Sequence, residues 1–185
     1  YNPEKLQTEK NFPLLEQELP DLCADRIDYL FREINLQEAC ELVSKLRVQS
    51  NEIIFDNQES ALRFANHFLD RQLNHWGSYE GVVRYKLLAE ILKRSLKKNI
   101  LHFDSFWKTE SLILKKLEDC GDELITDTLE ILEKESLENF PRGNRKVHKK
   151  FRYVDPKFGN NLERLSKLNE RFTERLRNAE EKNKK

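Results

Sequence analysis

A mainly all-α fold with one or two short β strands or a hairpin is predicted by three observations. Apolar residues recur at spacings of three and four along most of the chain, the period of an amphipathic helix. Charged residues make up 36% of the 185 residues and hydrophobic ones 38%, with only five Gly and five Pro to interrupt helices. Two places break the helical period: Glu52 to Phe55, and the surroundings of Val147, Phe151, Tyr153 and Val154. Both read as short strands.

The elements follow in order. Residues up to Phe12 are a polar lead-in, and Leu14, Leu15 and Leu19 make a short apolar approach. Pro20 and Asp21 start a helix, with proline in the first turn and an acid near the positive end of the dipole. Its apolar stripe is Ile27, Leu30, Phe31 and Ile34, while Asp25, Tyr29, Arg32 and Glu33 gather on another face. Asn35 with Glu38 resembles a capping box. The helix it opens is expected to bury Leu36, Ala39, Leu42, Val43 and Leu46. Asp56-Asn57 is a turn, and Glu59 to Trp76 is an amphipathic helix carrying Leu62, Ala65, Phe68, Leu69 and Leu73.

Gly77 closes that helix and Ser78 caps the next, Tyr79 to Lys98, which ends in Lys93, Arg94, Lys97 and Lys98. Its buried side is expected to hold Val82, Val83, Leu87, Leu88, Ile91 and Leu92. Ile100 to Trp107 is an aromatic connector. Thr109 to Cys120 and Asp122 to Glu135 form a helical hairpin split by Gly121. From Asn160 a charged helix with Leu162, Leu165, Leu168 and Phe172 runs into a Lys/Glu tail.

Bulk properties exclude several classes. Thirty-three Lys and Arg balance 33 Asp and Glu, so no global field points to nucleic acid or an anionic membrane. No apolar run approaches the roughly 18–20 residues that span a bilayer. Cys23, Cys40 and Cys120 are scattered and odd in number, the pattern expected of reduced, buried thiols in a cytosolic protein. Charge is nonetheless segregated locally. From Glu118 to Glu138 nine acids face one base, and from Pro141 to Lys157 seven Lys or Arg face one acid.

The run Ala24-Asp25-Arg26-Ile27-Asp28-Tyr29-Leu30-Phe31-Arg32-Glu33 resembles the last metal-ligand helix of the HD-domain superfamily of phosphohydrolases. Deoxynucleoside triphosphate triphosphohydrolases are close relatives by this motif. The resemblance implies an HD-like helical fold and a divalent ion (Mn, Mg, Fe, Ni or Zn). It makes Asp25 the final metal ligand, and places Arg26 at the substrate phosphates and Tyr29 and Glu33 at the sugar. Glu33 stands where the family has Asp. Asn51 to Asn57, Ser60 to Ala65 and Lys150 to Pro156 also look like the C-terminal half of microbial HD proteins. On this reading residues 1–34 end the catalytic domain. Residues 35–185 are its C-terminal helical region, with the basic segment 141–157 and a charged tail.

Each site has a plainer reading. A lone Asp on a helix usually faces water; the wording of the whole motif is what favours the ligand for Asp25. One carboxylate does not hold a catalytic ion, so the His and His-Asp ligands are expected upstream of Tyr1. The sequence also has no Met, so either an N-terminal stretch or modified methionines are expected to be missing from it. Ile34 runs directly into Asn35 where relatives have a longer connection, so these two are not expected to be neighbours in the natural polypeptide. His67, His75, His102 and His148 read as structural histidines. Arg71, His75, Arg84, Tyr85 and Lys86 sit where relatives hold phosphates, and Arg84 and Lys86 are the phosphate residues expected there. Solvated helix surface is the plainer alternative for each.

The segment Lys146 to Arg152 can bind a nucleic-acid backbone, or pair with the preceding acids or a second subunit; pairing is favoured. The function expected is metal-dependent hydrolysis of a nucleotide or other phosphate ester, by a homo-oligomer with no membrane partner. The alternative is a non-catalytic helical interaction or nucleic-acid-binding module.

Overall fold

The computed structural model describes residues 11–134, 137 and 150–183. Among these the chain is mainly helical, with four short strands in one small sheet. It divides into two compact units, one of residues 1–77 with 149–185 and one of Ser78–His148.

In the first unit, helix α1 (Ala24–Phe31) starts one turn later than Pro20 predicts. Leu19-Pro20 belongs instead to a turn closed by the Asp21 amide donating to the Glu18 carbonyl at 3.0 Å. The predicted stripe is otherwise in place: Ile27 and Leu30 are buried, and Phe31 and Ile34 pack on the same core. Helix α2 (Leu36–Val43) is capped by Asn35, whose side chain accepts from the Gln37 amide. Glu38 does not close a capping box, because its carboxylate is taken by Arg63 and His67. Ala39 and Leu42 are buried, whereas Leu36 is 77% exposed and Val43 51%. An eight-residue helix buries a narrower face than the predicted positions require, and the fifth of them, Leu46, lies beyond its end in the first strand.

Strands β1 (Leu46–Gln49) and β2 (Glu52–Phe55) form a hairpin, in register from Leu46 opposite Phe55 to Gln49 opposite Glu52. Ser50 and Asn51 make its two-residue turn at φ 51° and 63°, the left-handed pair that matches strand twist. β1 is absent from the sequence reading because Arg47 and Gln49 gave it no long apolar alternation. Helix α3 (Gln58–Arg71), capped by Asn57, runs on into a π-turn (Gln72–Trp76). Its buried face is Ala61, Phe64, Ala65, Phe68 and Leu69.

The chain returns to this unit through residues 150–156, which form neither strand nor helix, so the strand expected at Phe151 to Val154 is not formed. The pairing strands are β3 (Lys157–Phe158) and β4 (Glu163–Arg164), in sheet order β1-β2-β3-β4, with β3 parallel to β2. Gly159, at φ 66°, and Leu162, at φ 55°, lie between them, so Leu162 is a turn residue rather than the start of a helix. Helices α7 (Leu165–Leu168) and α8 (Glu170–Asn183) follow. The core joins Leu22, Ile27, Leu30, Leu42, Phe55, Phe64, Phe68, Val154, Leu165 and Phe172.

In the second unit, α4 (Tyr79–Lys97) is capped by Ser78 and packs through Val83, Leu87 and Ile91. Leu88 is 37% exposed. A 3-10 turn (Phe103–Trp107) leads to α5 (Glu110–Glu118) and α6 (Glu123–Glu133), the predicted hairpin, with Gly121 at φ 67°. Asp122 caps α6 and also receives Arg94 and Lys98, which together hold its carboxyl well below the usual range. Residues 1–10, Val147, His148 and segment 141–149 lie outside the described residues. No described helix is long and apolar enough to cross a membrane.

Candidate functional site on the motif helix

The outward face of α1 is built by its helical period: Asp25 and Tyr29 are one turn apart, and Glu33 follows one turn beyond. Asp25, in the first turn, is exposed. Tyr29 is half-buried against the π-turn, its ring edge-on to Trp76 at 5.0 Å and tilted to Phe68 at 5.8 Å. Burial pushes the Tyr29 phenol up to about 12; the Arg26 charge opposes this and that of Asp25 adds to it. The Glu33 carboxylate lies 3.9 Å from His75, and its carbonyl accepts from Arg71. Asp25, Tyr29 and Trp76 thus form one wall, and Glu33, in the turn after α1, sets its carboxylate beside His75.

Arg26 is placed differently. Its side chain is 11% exposed and turned toward the approach segment, where it meets the Glu16 carboxylate at 2.9 Å. It also donates to the carbonyls of Gln17 and Asp21 and to the Cys23 sulfur. Burying a guanidinium is tolerated only when its donors are met in this way.

Arg84 belongs to the second unit, where it pairs with Glu80 and donates to the Leu132 and Lys134 carbonyls. Lys86, two residues along α4, is half-buried. Among the expected site residues, then, Asp25 and Tyr29 lie one turn apart on α1, Glu33 lies in the turn that follows the helix, and Arg26 is engaged elsewhere in the same unit. Arg84 and Lys86 lie in the other unit. No group of three His, Cys, Asp or Glu able to hold a metal ion occurs among the described residues. The donors present are thus a partial fit to a divalent ion, with one exposed hard carboxylate.

Sequence reasoning missed Trp76 and Gln72. Trp76 stands in the predicted helix, but the π-turn re-aims it toward Tyr29, and no periodicity marks such a bulge. A separate cleft of about 480 Å³ between α3 and α8 is lined by Asp70, Asn74, Arg171, Glu174, Arg175 and Lys182 and contains none of the motif residues.

Comparison with known proteins points the same way in coarse terms. The chain is 27% identical over 84% of its length to the uncharacterized protein YdhJ of Bacillus subtilis, covering 50% of that protein. It is 23% identical over 57% of its length to the metal-dependent phosphohydrolase cns2 of Cordyceps militaris, covering 34% of it. The chain thus spans half or less of the curated relatives it matches. No family model and no solved structure matches. What these findings support is a distant likeness to a metal-dependent phosphohydrolase, carried on a mainly helical chain.

Proposed function

We propose that this chain is part of an HD-superfamily metal-dependent phosphohydrolase acting on a nucleotide phosphate ester. The observation that carries the reading is the α1 motif itself. The Asp25 position that the family uses for metal is exposed, one helical turn from Tyr29, with Glu33 in the turn that follows the helix. The name of the distant Cordyceps militaris relative supports the same class. On this reading Asp25 supplies one ligand to a divalent ion, and the remaining ligands come from elsewhere in the polypeptide. Bound there, the ion lowers the pKa of a water for attack on phosphorus. Tyr29 and Trp76 offer an aromatic wall to a sugar, and Glu33 an acceptor for its hydroxyls.

The test uses the full natural polypeptide, incubated with a panel of nucleoside mono- and triphosphates and each of the five divalent ions. Release of phosphate or triphosphate that chelator abolishes is the expected result. Absence of metal-dependent release across the panel, together with tight, steeply salt-sensitive binding of oligonucleotides, would replace the reading by the binding module.

A further inference from the structure

Residues 150–156 have no regular structure, yet both ends are fixed. At one end the Lys150 carbonyl accepts from the Gln72 side-chain amide at 3.0 Å, within the π-turn that also carries Trp76. At the other, the Asp155 amide donates to the Pro20 carbonyl at 2.9 Å, just before α1. The Asp155 carboxylate is buried and accepts from the Ser166 amide and hydroxyl. Val154 and Pro156 are buried as well. The segment is therefore a strap that runs from the Trp76 end of the wall to the start of the motif helix.

Between the pins, the rings of Phe151 and Tyr153 stack at 5.7 Å, and Arg152 is exposed. No described residue hydrogen-bonds or ion-pairs with Arg152, and its charge acts on the Tyr29 phenol, lowering it against the effect of burial. A phosphate chain carries more negative charge than one divalent ion held on a carboxylate offsets, so a further cation beside it is called for. Arg26 has its donors committed to Glu16, Gln17, Asp21 and Cys23. A guanidinium on a pinned backbone suits the task, since its planar fork matches two phosphate oxygens.

We propose that Arg152, held on this strap beside the Asp25–Tyr29 wall, is the residue that binds the phosphate chain of the substrate. The inference rests on the phosphohydrolase reading and deepens it. It assigns the phosphate role to a residue outside the HD motif, on the segment pinned to Gln72 and to Pro20.

The experiment titrates inorganic tripolyphosphate, with excess magnesium, into the full polypeptide by calorimetry. Wild type is compared with Arg152→Ala, Arg152→Lys and Lys97→Ala, the last removing one exposed cation from the other unit. Wild type binds, Arg152→Ala weakens binding about tenfold or more, and Arg152→Lys falls between them. Lys97→Ala stays within about twofold of wild type, as expected for one screened surface charge. Equal affinities for wild type and Arg152→Ala, or no binding by wild type, overturn the proposal. Hydrolysis by the same variants separates the two levels. Metal-dependent hydrolysis with an Arg152→Ala KM equal to wild type leaves the phosphohydrolase reading standing and removes Arg152 from it.

Discussion

Replacing Arg26 by Ala asks whether the basic residue of the motif is a substrate contact or a structural tie. In the structure its guanidinium is nearly enclosed and serves four acceptors: the Glu16 carboxylate, the carbonyls of Gln17 and Asp21, and the Cys23 sulfur. Removing one partner of a buried ion pair costs about 3–5 kcal/mol. Glu16 is 37% exposed and can turn to water, which lowers the Coulombic part; two carbonyls still lose a charged donor. A net loss of about 3 kcal/mol follows. With a urea m value of about 2 kcal/mol/M, the midpoint should fall by about 1.5 M. The assay is the emission of Trp76 in a Trp107→Phe background; Trp107 is 90% exposed and lies in the other unit. Arg26→Lys should recover part of the loss, because an ammonium keeps the charge but not the fork. A loss below about 1 kcal/mol, with weakened tripolyphosphate binding, would refute the reasoning by showing a guanidinium free to leave its cradle.

Three further outcomes follow from the same geometry. Phe68 is fully buried against Tyr29, Phe64 and Trp76, so Phe68→Ala should cost about 4 kcal/mol in the same urea assay. A Cβ at Gly77 would meet the Gln72 side-chain amide and lie 2.7 Å from its carbonyl oxygen, so Gly77→Ala should lose about 2 kcal/mol. Its strap should loosen too, read as faster amide exchange at Phe151 and Arg152. The Arg63 side chain, helped by His67, holds Glu38 below the usual carboxylate range. Stability from that group is present above its ordinary value of 4.5 and lost as pH falls through the lowered one. Glu38→Gln should therefore flatten the acid limb of a stability–pH profile, and an unchanged slope would remove Glu38 from it.

Helix positions were legible where a capping side chain coincided with apolar period. Asn35, Ser78 and Asp122 each cap a helix, and Gly121 turns the hairpin at positive φ as its sequence demands. Burial was legible less well, because period names a face but not its partner: Leu36 and Val43 match the helical stripe and remain exposed. The sheet was half legible. β2 has consecutive Ile53, Ile54 and Phe55, whereas β3 and β4 are two residues each and exist only because β3 adds to the hairpin.

For the site, Asp25, Tyr29 and Glu33 could be grouped from spacing alone. The direction of Arg26 could not, since it is decided by Glu16 and the Gln17 and Asp21 carbonyls in the preceding turn. Nor could the strap, whose pins join residues far apart in sequence: Gln72 to Lys150 and Pro20 to Asp155.

The most direct test of the central claim is the metal content of the full polypeptide and of its Asp25→Ala variant, purified alike and analysed by mass spectrometry of the elements. Asp25 is exposed, so the variant should keep its fold, checked by circular dichroism. The account predicts a divalent ion in the wild type and its loss from Asp25→Ala, together with loss of phosphate release. Retained metal and undiminished hydrolysis in the variant would contradict it.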